Sequence, residues 1–370
     1  MENTMKHASK LLGVAGTAAL MSLVTPAHAA GTAAGTTITN QATINFQVGT
    51  VTQTAVSASN AIIVDAKIVL TATETGATTV VAPAQTGAVT TFQVTNNSNE
   101  VIDIGLAAAA QSSGATTAHG GSSAVTASSF TYWVNTNGSP TCSYSAANAT
   151  QVNWLDEVAV GTTVCVYVQS SIPSTATNGQ VAGINLTATA EQGGTSGTQG
   201  AVLTQSGTGV AWTPGTMQTV FADAAGNGGD SNYDGKFTAL ADYTVSAPVL
   251  SVNKNSLVIN DPVEGSSNPK AIPGATLQYC IVVSNAAGAG TSASNINISD
   301  VLPSTVTYKP GSVVLNAVVS GSGASATCGT GTAGSDAVNY TATPNPTVTG
   351  TLATLAPGAS EGLAFQVTIN

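Results

Sequence analysis

The chain of 370 residues carries a formal net charge of −10, and its seven cationic side chains are all lysine. Charged residues make up only 6% of it, so no basic patch is available to neutralise nucleic-acid phosphates or an anionic membrane surface, and neither is expected as a partner. Hydrophobic residues reach 42% and fall in short regular runs, which excludes a disordered chain, and the length has room for two domains.

Residues 1–29 read as a secretory leader. Lys6 and Lys10 precede an apolar run over 11–24, and Ala27-His28-Ala29 offers small residues for cleavage before Ala30. No later run reaches the length of a membrane-spanning helix, and no sortase-type motif or apolar tail follows at the C-terminus. The mature chain is therefore expected outside the cell or on its surface, with no membrane span and no obvious anchor.

The mature sequence opens with a regular alternation. Ile38, Ala42, Ile44, Phe46 and Val48 fall on one face, and Thr39, Gln41, Thr43, Asn45 and Gln47 on the other, the period of a half-buried strand. A turn at Val48-Gly49-Thr50 returns the chain through residues 51–64 and predicts a β-hairpin. Two readings of the strand stand open: the first strand of its own sandwich, or an assembly strand that pairs with a neighbouring subunit to build head-to-tail fibres.

Strands are expected next at 67–73, 78–81 and 88–96, and the Ala/Gly/Ser/Thr-rich stretch 107–129 reads as a long surface loop. Strands at 130–135, 164–169 and 184–190 follow, then a pause over 192–200. Residues 201–210 and 217–221 lead as strands into an acidic loop at 223–235, and 243–245 returns to strand. Pro248 marks a junction. Beyond it, 250–259, 276–284, 295–300, 305–308 and 363–369 read as the strands of a second module, punctuated by Pro273-Gly274, Leu302-Pro303 and Pro310-Gly311. The fold class predicted is all-β, with two immunoglobulin-like β-sandwiches after the leader, over 30–246 and 247–370. The halves echo each other: a strand ending in Asn occurs at Asn96 and Asn285, and a hydrophobic-Ala-x-Gly turn begins at Val158 and Leu355.

Four cysteines in an exported chain predict two disulfides. Pairing within each half, Cys142 with Cys165 and Cys280 with Cys328, is the simplest of three connectivities, and four buried thiols are the competing reading.

The second half, through Pro248-VLSVNKNS, Ile259-NDPVEGSSNPKAIPGATLQYCIVVSN and Ser299-DVLPSTVTYKPGS, resembles the conserved-repeat domain of unknown function found in bacterial cell-surface and extracellular proteins. The resemblance covers residues 247–370; Val134-NTNGS and Val181-AGINLTATAEQGG are similar, over shorter stretches, to the module that often precedes such repeats. It implies an immunoglobulin-like sandwich on the cell surface or in extracellular appendages, and no reaction. One clear copy is present here, where longer members carry several.

The sharpest chemical motif is Asp230-Ser-Asn232-Tyr-Asp234-Gly235, the first half of a calcium loop in which alternate oxygens converge on a hard cation. Ala241 stands where a bidentate Glu is required, with Asp242 one residue late, and Asp223 and Asn227 are the candidates to supply the missing oxygens. The plainer reading is a solvated Asp/Asn/Gly turn. Enzyme chemistry is not expected: His119 is the single histidine of the mature chain and has no acid near it in sequence, and Asp156-Glu157 on a regular strand would point to opposite faces. Tyr132, Trp133, Trp154 and Trp212 are candidates for a sugar-stacking platform, against the simpler reading of core aromatics. Lys254 and Asn370 form a candidate isopeptide pair, against an ordinary solvated lysine. The sequence thus points to a structural or adhesive surface protein that associates with itself or a cell-surface partner, with a glycan- or protein-binding module as the alternative.

Overall fold

The computed structural model describes residues 31–135, 141–206 and 211–370; the leader expected at 1–29 lies outside the described residues. The protein is all-β. Among the described residues the first half forms two five-stranded sheets. One has the order Ala149–Val152, Ser128–Asn135, Thr163–Ser171, Ala88–Asn96, Leu70–Glu74, and the other the order Trp154–Val158, Ile102–Ala110, Val181–Gln192, Lys236–Val245, Thr79–Val81. Strict alternation places Ala88, Thr90, Phe92 and Val94 of one strand inward. They pack against Ile102, Ile104, Ile184 and Leu186 of the facing sheet.

The second half has a sheet ordered Leu250–Asn260, Thr276–Asn285, Ser360–Ile369, Val314–Ala317, Thr332–Ala333, with Val306–Tyr308 also paired to Ser360–Ile369. A smaller sheet, Ile296–Val301, Thr347–Leu352, Tyr340–Thr341, closes over Ile281, Leu363, Phe365 and Val367. Cys142 is bonded to Cys165 and Cys280 to Cys328, the pairing within halves. Such bonds persist in oxidising compartments outside the cytosol.

The sequence echo is a shared clasp. Asn96 is fully buried; its Nδ2 donates to the Val158 carbonyl at 2.8 Å, and its carbonyl accepts the Gly161 N–H at 2.8 Å. Asn285 repeats this, with Nδ2 on the Leu355 carbonyl at 3.1 Å and its carbonyl on the Gly358 N–H at 2.8 Å. The Gly N–H groups bond the backbone carbonyls, while each amide side chain donates to a buried carbonyl and accepts a further N–H through Oδ1, from Ser98 at Asn96 and from Val249 at Asn285, which is why Asn ends the strand in both halves.

Several expected boundaries are corrected. Ala107 to Ala110 belong to the strand Ile102–Ala110, because they pair with residues 184–187 of the neighbouring strand and alanine's small side chain fits where neither propensity nor periodicity marks it. The surface loop is therefore shorter and starts at Gln111. The strand expected at 243–245 spans Lys236–Val245, and Ala149–Val152 and Trp154–Val158 are additional. Residues 201–206 are irregular apart from a bridge at Val202.

Candidate functional site

The opening strand is the feature least explained by folding of the chain alone. Among the described residues Thr37–Ile44 pairs antiparallel with Val56–Ile63 and with no other strand, so the hairpin is part of neither sandwich's sheets. The half-buried strand predicted from its alternation is corrected here, and so is its reading as the first strand of its own sandwich, since every residue of it is exposed. The register sets Ile38 beside Ile62, Ala42 beside Ala58 and Ile44 beside Val56 on one face, with Thr37, Thr39, Gln41 and Thr43 on the other. Ile44 and Val48 are each 64% exposed and Phe46 44%, so the apolar face is bare. Both outer edges carry unpaired backbone groups. The base of the hairpin is fixed, with Gly35 N–H on the Val64 carbonyl at 2.9 Å and Asn99 Nδ2 on the Thr32 and Asp65 carbonyls. A two-stranded hairpin with one apolar face is marginal in water unless something covers it.

The acidic loop is folded on its own backbone. Asp223 is buried and accepts the N–H groups of Gly235 at 3.1 Å and Asp234 at 3.3 Å. Asp230 accepts those of Gly226 at 2.8 Å and Thr238 at 3.1 Å, Asn232 that of Ala225 at 2.7 Å, and Asp234 that of Lys236 at 3.0 Å. Asn227 holds the Thr238 carbonyl through its backbone N–H at 2.7 Å and lies by a cleft with Glu74, Thr117 and Phe237. Each of these acids is thus engaged by the loop's own backbone N–H groups. Gly235 is required because its φ is +71° and a Cβ there would meet the Phe221 ring at 2.7 Å.

Asp242 turns instead to His119, which sequence left without a partner. His119 Nδ1 lies 3.0 Å from Asp242 Oδ1, its backbone N–H reaches Oδ2 at 2.9 Å, and Nε2 lies 3.2 Å from the Gly76 carbonyl and 3.7 Å from Glu74 Oε2. Both ring nitrogens face acceptors, so the arrangement favours the imidazolium; its pKa is raised, chiefly by the Asp242 hydrogen bond. Burial pushes Asp242 up, but bonds from Thr78, His119 and Thr117 outweigh it and hold the carboxyl low. Burial also lifts Glu74 to about 7, against the pull of His119. With both nitrogens engaged, the ring has no free face for a general base, and it clasps its loop to the sheet.

Asp156 and Glu157 do come together, contrary to the expectation from a regular strand. Glu157 has φ +47° where the pairing register shifts between Leu155 and Val158, and this bulge brings both carboxylates to within 4.8 Å of Asp103. Their oxygens cap the 193–200 loop: Asp103 accepts the Glu157 and Gly200 N–H groups at 2.8 and 2.9 Å, Asp156 that of Gly197 at 3.0 Å, and Glu157 that of Gly194.

The aromatic candidates are dispersed. Tyr132 packs on the core and accepts the Ala108 N–H at 2.8 Å, Trp133 alternates to the other side of the same strand, Trp154 lies on an edge strand of the opposite sheet, and Trp212 is exposed in the segment after residue 211. The isopeptide pair is also corrected. Lys254 Nζ lies 2.6 Å from Asp300 Oδ2, while Asn370 bonds Thr307 at 2.6 Å and the Ser304 carbonyl at 2.8 Å. Lys254 lies at the open cleft beside Asp300, away from Asn370.

No protein-family model and no curated protein matches the chain. Among solved structures, it is similar to a protein from Corynebacterium diphtheriae described as membrane-anchored, at 8% identity over 90% of this chain and 89% of that one, with a TM-score of 0.19. A likeness that slight carries no conclusion.

Proposed function

We propose that the chain is an exported, non-enzymatic structural or adhesive protein of the cell surface or extracellular matrix, and that it associates with further copies of itself through its opening strand. The observation that carries this reading is the hairpin Thr37–Ile44 with Val56–Ile63, which leaves an apolar face bare and two backbone edges unpaired. Exposed edges of this kind are normally blunted by charge or proline. Here residues 37–63 contain no charged side chain and no proline. The two disulfides support an address outside the cytosol.

The test uses the mature chain from Ala30 onward. Sedimentation and electron microscopy are expected to show concentration-dependent oligomers or fibres that vanish on deletion of residues 35–48. Wild-type protein that stays monomeric at high concentration, or a deletion that assembles as before, removes the reading.

A further inference from the structure

The shared clasp allows the two halves to be aligned residue by residue, and the alignment shows that, among the described residues, the second sandwich lacks strands the first has, beginning with a counterpart of Val181–Gln192. Leu70 lies opposite Asn96 and Ala72 opposite Val94. In the second half Leu250 lies opposite Asn285 and Val252 opposite Val283. Leu70 and Ala72 are 0% and 2% exposed, whereas Leu250 and Val252 are 46% and 66% exposed.

The cause lies in the facing sheet. Ile104, opposite Leu155 three residues before Val158, corresponds to Ile296, opposite Leu352 three residues before Leu355. In the first half the strand of Ile104 is flanked on its other side by Val181–Gln192, which packs over Leu70–Glu74. In the second half Ile296–Val301 ends its sheet, and no counterpart of Val181–Gln192 is present among the described residues. What remains is an open cleft of about 470 Å³ whose walls include Leu250, Val252, Ile281, Val283, Ile296 and Ile298.

We infer that this cleft receives the opening strand of a second copy of the chain, which adds antiparallel to Ile296–Val301; the inference rests on the self-association proposed above and names its acceptor. In the first half Ala190 lies opposite Ile104, Ala188 opposite Leu106 and Leu186 opposite Ala108. Carried across, those places stand opposite Ile296, Ile298 and Asp300. Thr37–Ile44 fills them with Ile44, Ala42 and Asn40, so that the small Ala42 sits where the first half has Ala188. Asn40, the polar break in the hairpin's apolar face, then meets the polar break in the cleft. There the buried Asp300 Oδ2 is paired with Lys254 Nζ at 2.6 Å, and the Asn40 amide adds a polar partner beside that pair.

The hairpin segment offers the roughly 20 to 30 residues that one side of a specific interface uses, and its lack of charge suits a cleft whose one ion pair is already balanced. Donor and acceptor are different surfaces of one chain. The contact is therefore heterologous, and repetition gives an open chain of copies.

Two charge variants and one cysteine pair test this. Ile44→Asp spoils the donor and Val252→Asp the acceptor, and each alone is expected to lower assembly at least about tenfold by burying an unpaired charge. Mixed, they should give a one-to-one dimer and nothing longer, since one intact donor meets one intact acceptor. In oxidised Ala42→Cys/Ile298→Cys protein, a ladder of disulfide-linked multimers is expected on non-reducing gels. Assembly of Val252→Asp protein at wild-type level overturns the acceptor while leaving self-association standing; a monomeric wild type removes both. A cross-link confined within monomers shows the hairpin occupying its own chain's cleft and overturns the second copy as occupant. Should Val252→Asp protein fail to fold, the uncharged cysteine pair decides: absence of the cross-link in protein that still assembles overturns the inference.

Discussion

Replacing Glu74 with Gln tests the electrostatic account of the first sandwich. Burial lifts the Glu74 carboxyl from 4.5 to about 7, with the His119 imidazolium 3.7 Å away opposing the shift and Asp242 adding to it. A folded pKa above the unfolded one means that the native protein keeps a proton the unfolded chain has lost. The stability so contributed is complete below 4.5 and disappears as the pH rises through 7. At about 1.4 kcal/mol per unit the full shift corresponds to about 3 kcal/mol. The cleft beside Glu74 admits water, and screening reduces this to about 1–2 kcal/mol. Glu74→Gln is therefore expected to match the wild type within about 0.5 kcal/mol at pH 4.5 and to be more stable by about 1–2 kcal/mol at pH 8. Urea unfolding followed by tryptophan fluorescence isolates this sandwich, because Trp133, Trp154 and Trp212 all lie in the first half. His119 and Asp242 add their own pH dependence to both proteins and drop out of the difference to first order. A variant less stable than the wild type at pH 8, or a difference that does not change with pH, would refute the reasoning.

His119→Ala should free the clasp between residues 111–127 and the sheet and leave Asp242 buried without its imidazolium; hydrogen exchange in that loop is expected to rise, more at pH 5 than at pH 8, because the imidazolium is lost as pH rises through its raised pKa. Asn96→Ala and Asn285→Ala each strand buried carbonyls and are expected to cost about 3 kcal/mol, each in its own sandwich, as read by separate unfolding transitions in calorimetry. Loss of Cys280–Cys328, which closes the longer loop of 48 residues, should cost about 4 kcal/mol, and loss of Cys142–Cys165, separated by 23, about 3.4 kcal/mol, in denaturation of the paired Cys→Ala variants.

The all-β class and the disulfide pairing were legible because both rest on local facts: period-2 alternation in strands such as 88–96 and 363–369, and one close pair of cysteines in each half. Ala107 to Ala110 were not legible as strand, since four alanines alternate nothing and only their pairing with residues 184–187 defines them. The clasp residues Asn96 and Asn285 were visible as an echo, but their role needed Val158 and Leu355 brought back from more than sixty positions away. His119 with Asp242 is a contact across 123 positions and leaves no local trace. Asp156 and Glu157 were misplaced because the expectation assumed a regular strand, and a bulge is a property of pairing. For the opening strand, alternation showed which face is apolar. It could not show that the face is left bare, because burial depends on what the rest of the chain brings to it.

Eight of the eleven acids in the first sandwich sit on, or bind the segments around, the strands that distinguish it from the second. Asp242 lies on Lys236–Val245, and the loop of Asp223, Asp230 and Asp234 leads into that strand. Glu191 lies at the end of Val181–Gln192 and is held by Gln199, while Asp103, Asp156 and Glu157 bind the loop that follows. Each carboxylate accepts N–H groups of segments that wrap the added strands. Their chemistry is thus accounted for by the task of seating two extra strands over Leu70 and Ala72. The second sandwich has the matching apolar positions at Leu250 and Val252 without the strands, and without the acids that would seat them. A search for function guided by charge leads to the sealed half of the molecule, whereas the unmet requirement, an apolar strand and a place for it, is carried by the nearly uncharged opening hairpin and the open side of the second sandwich.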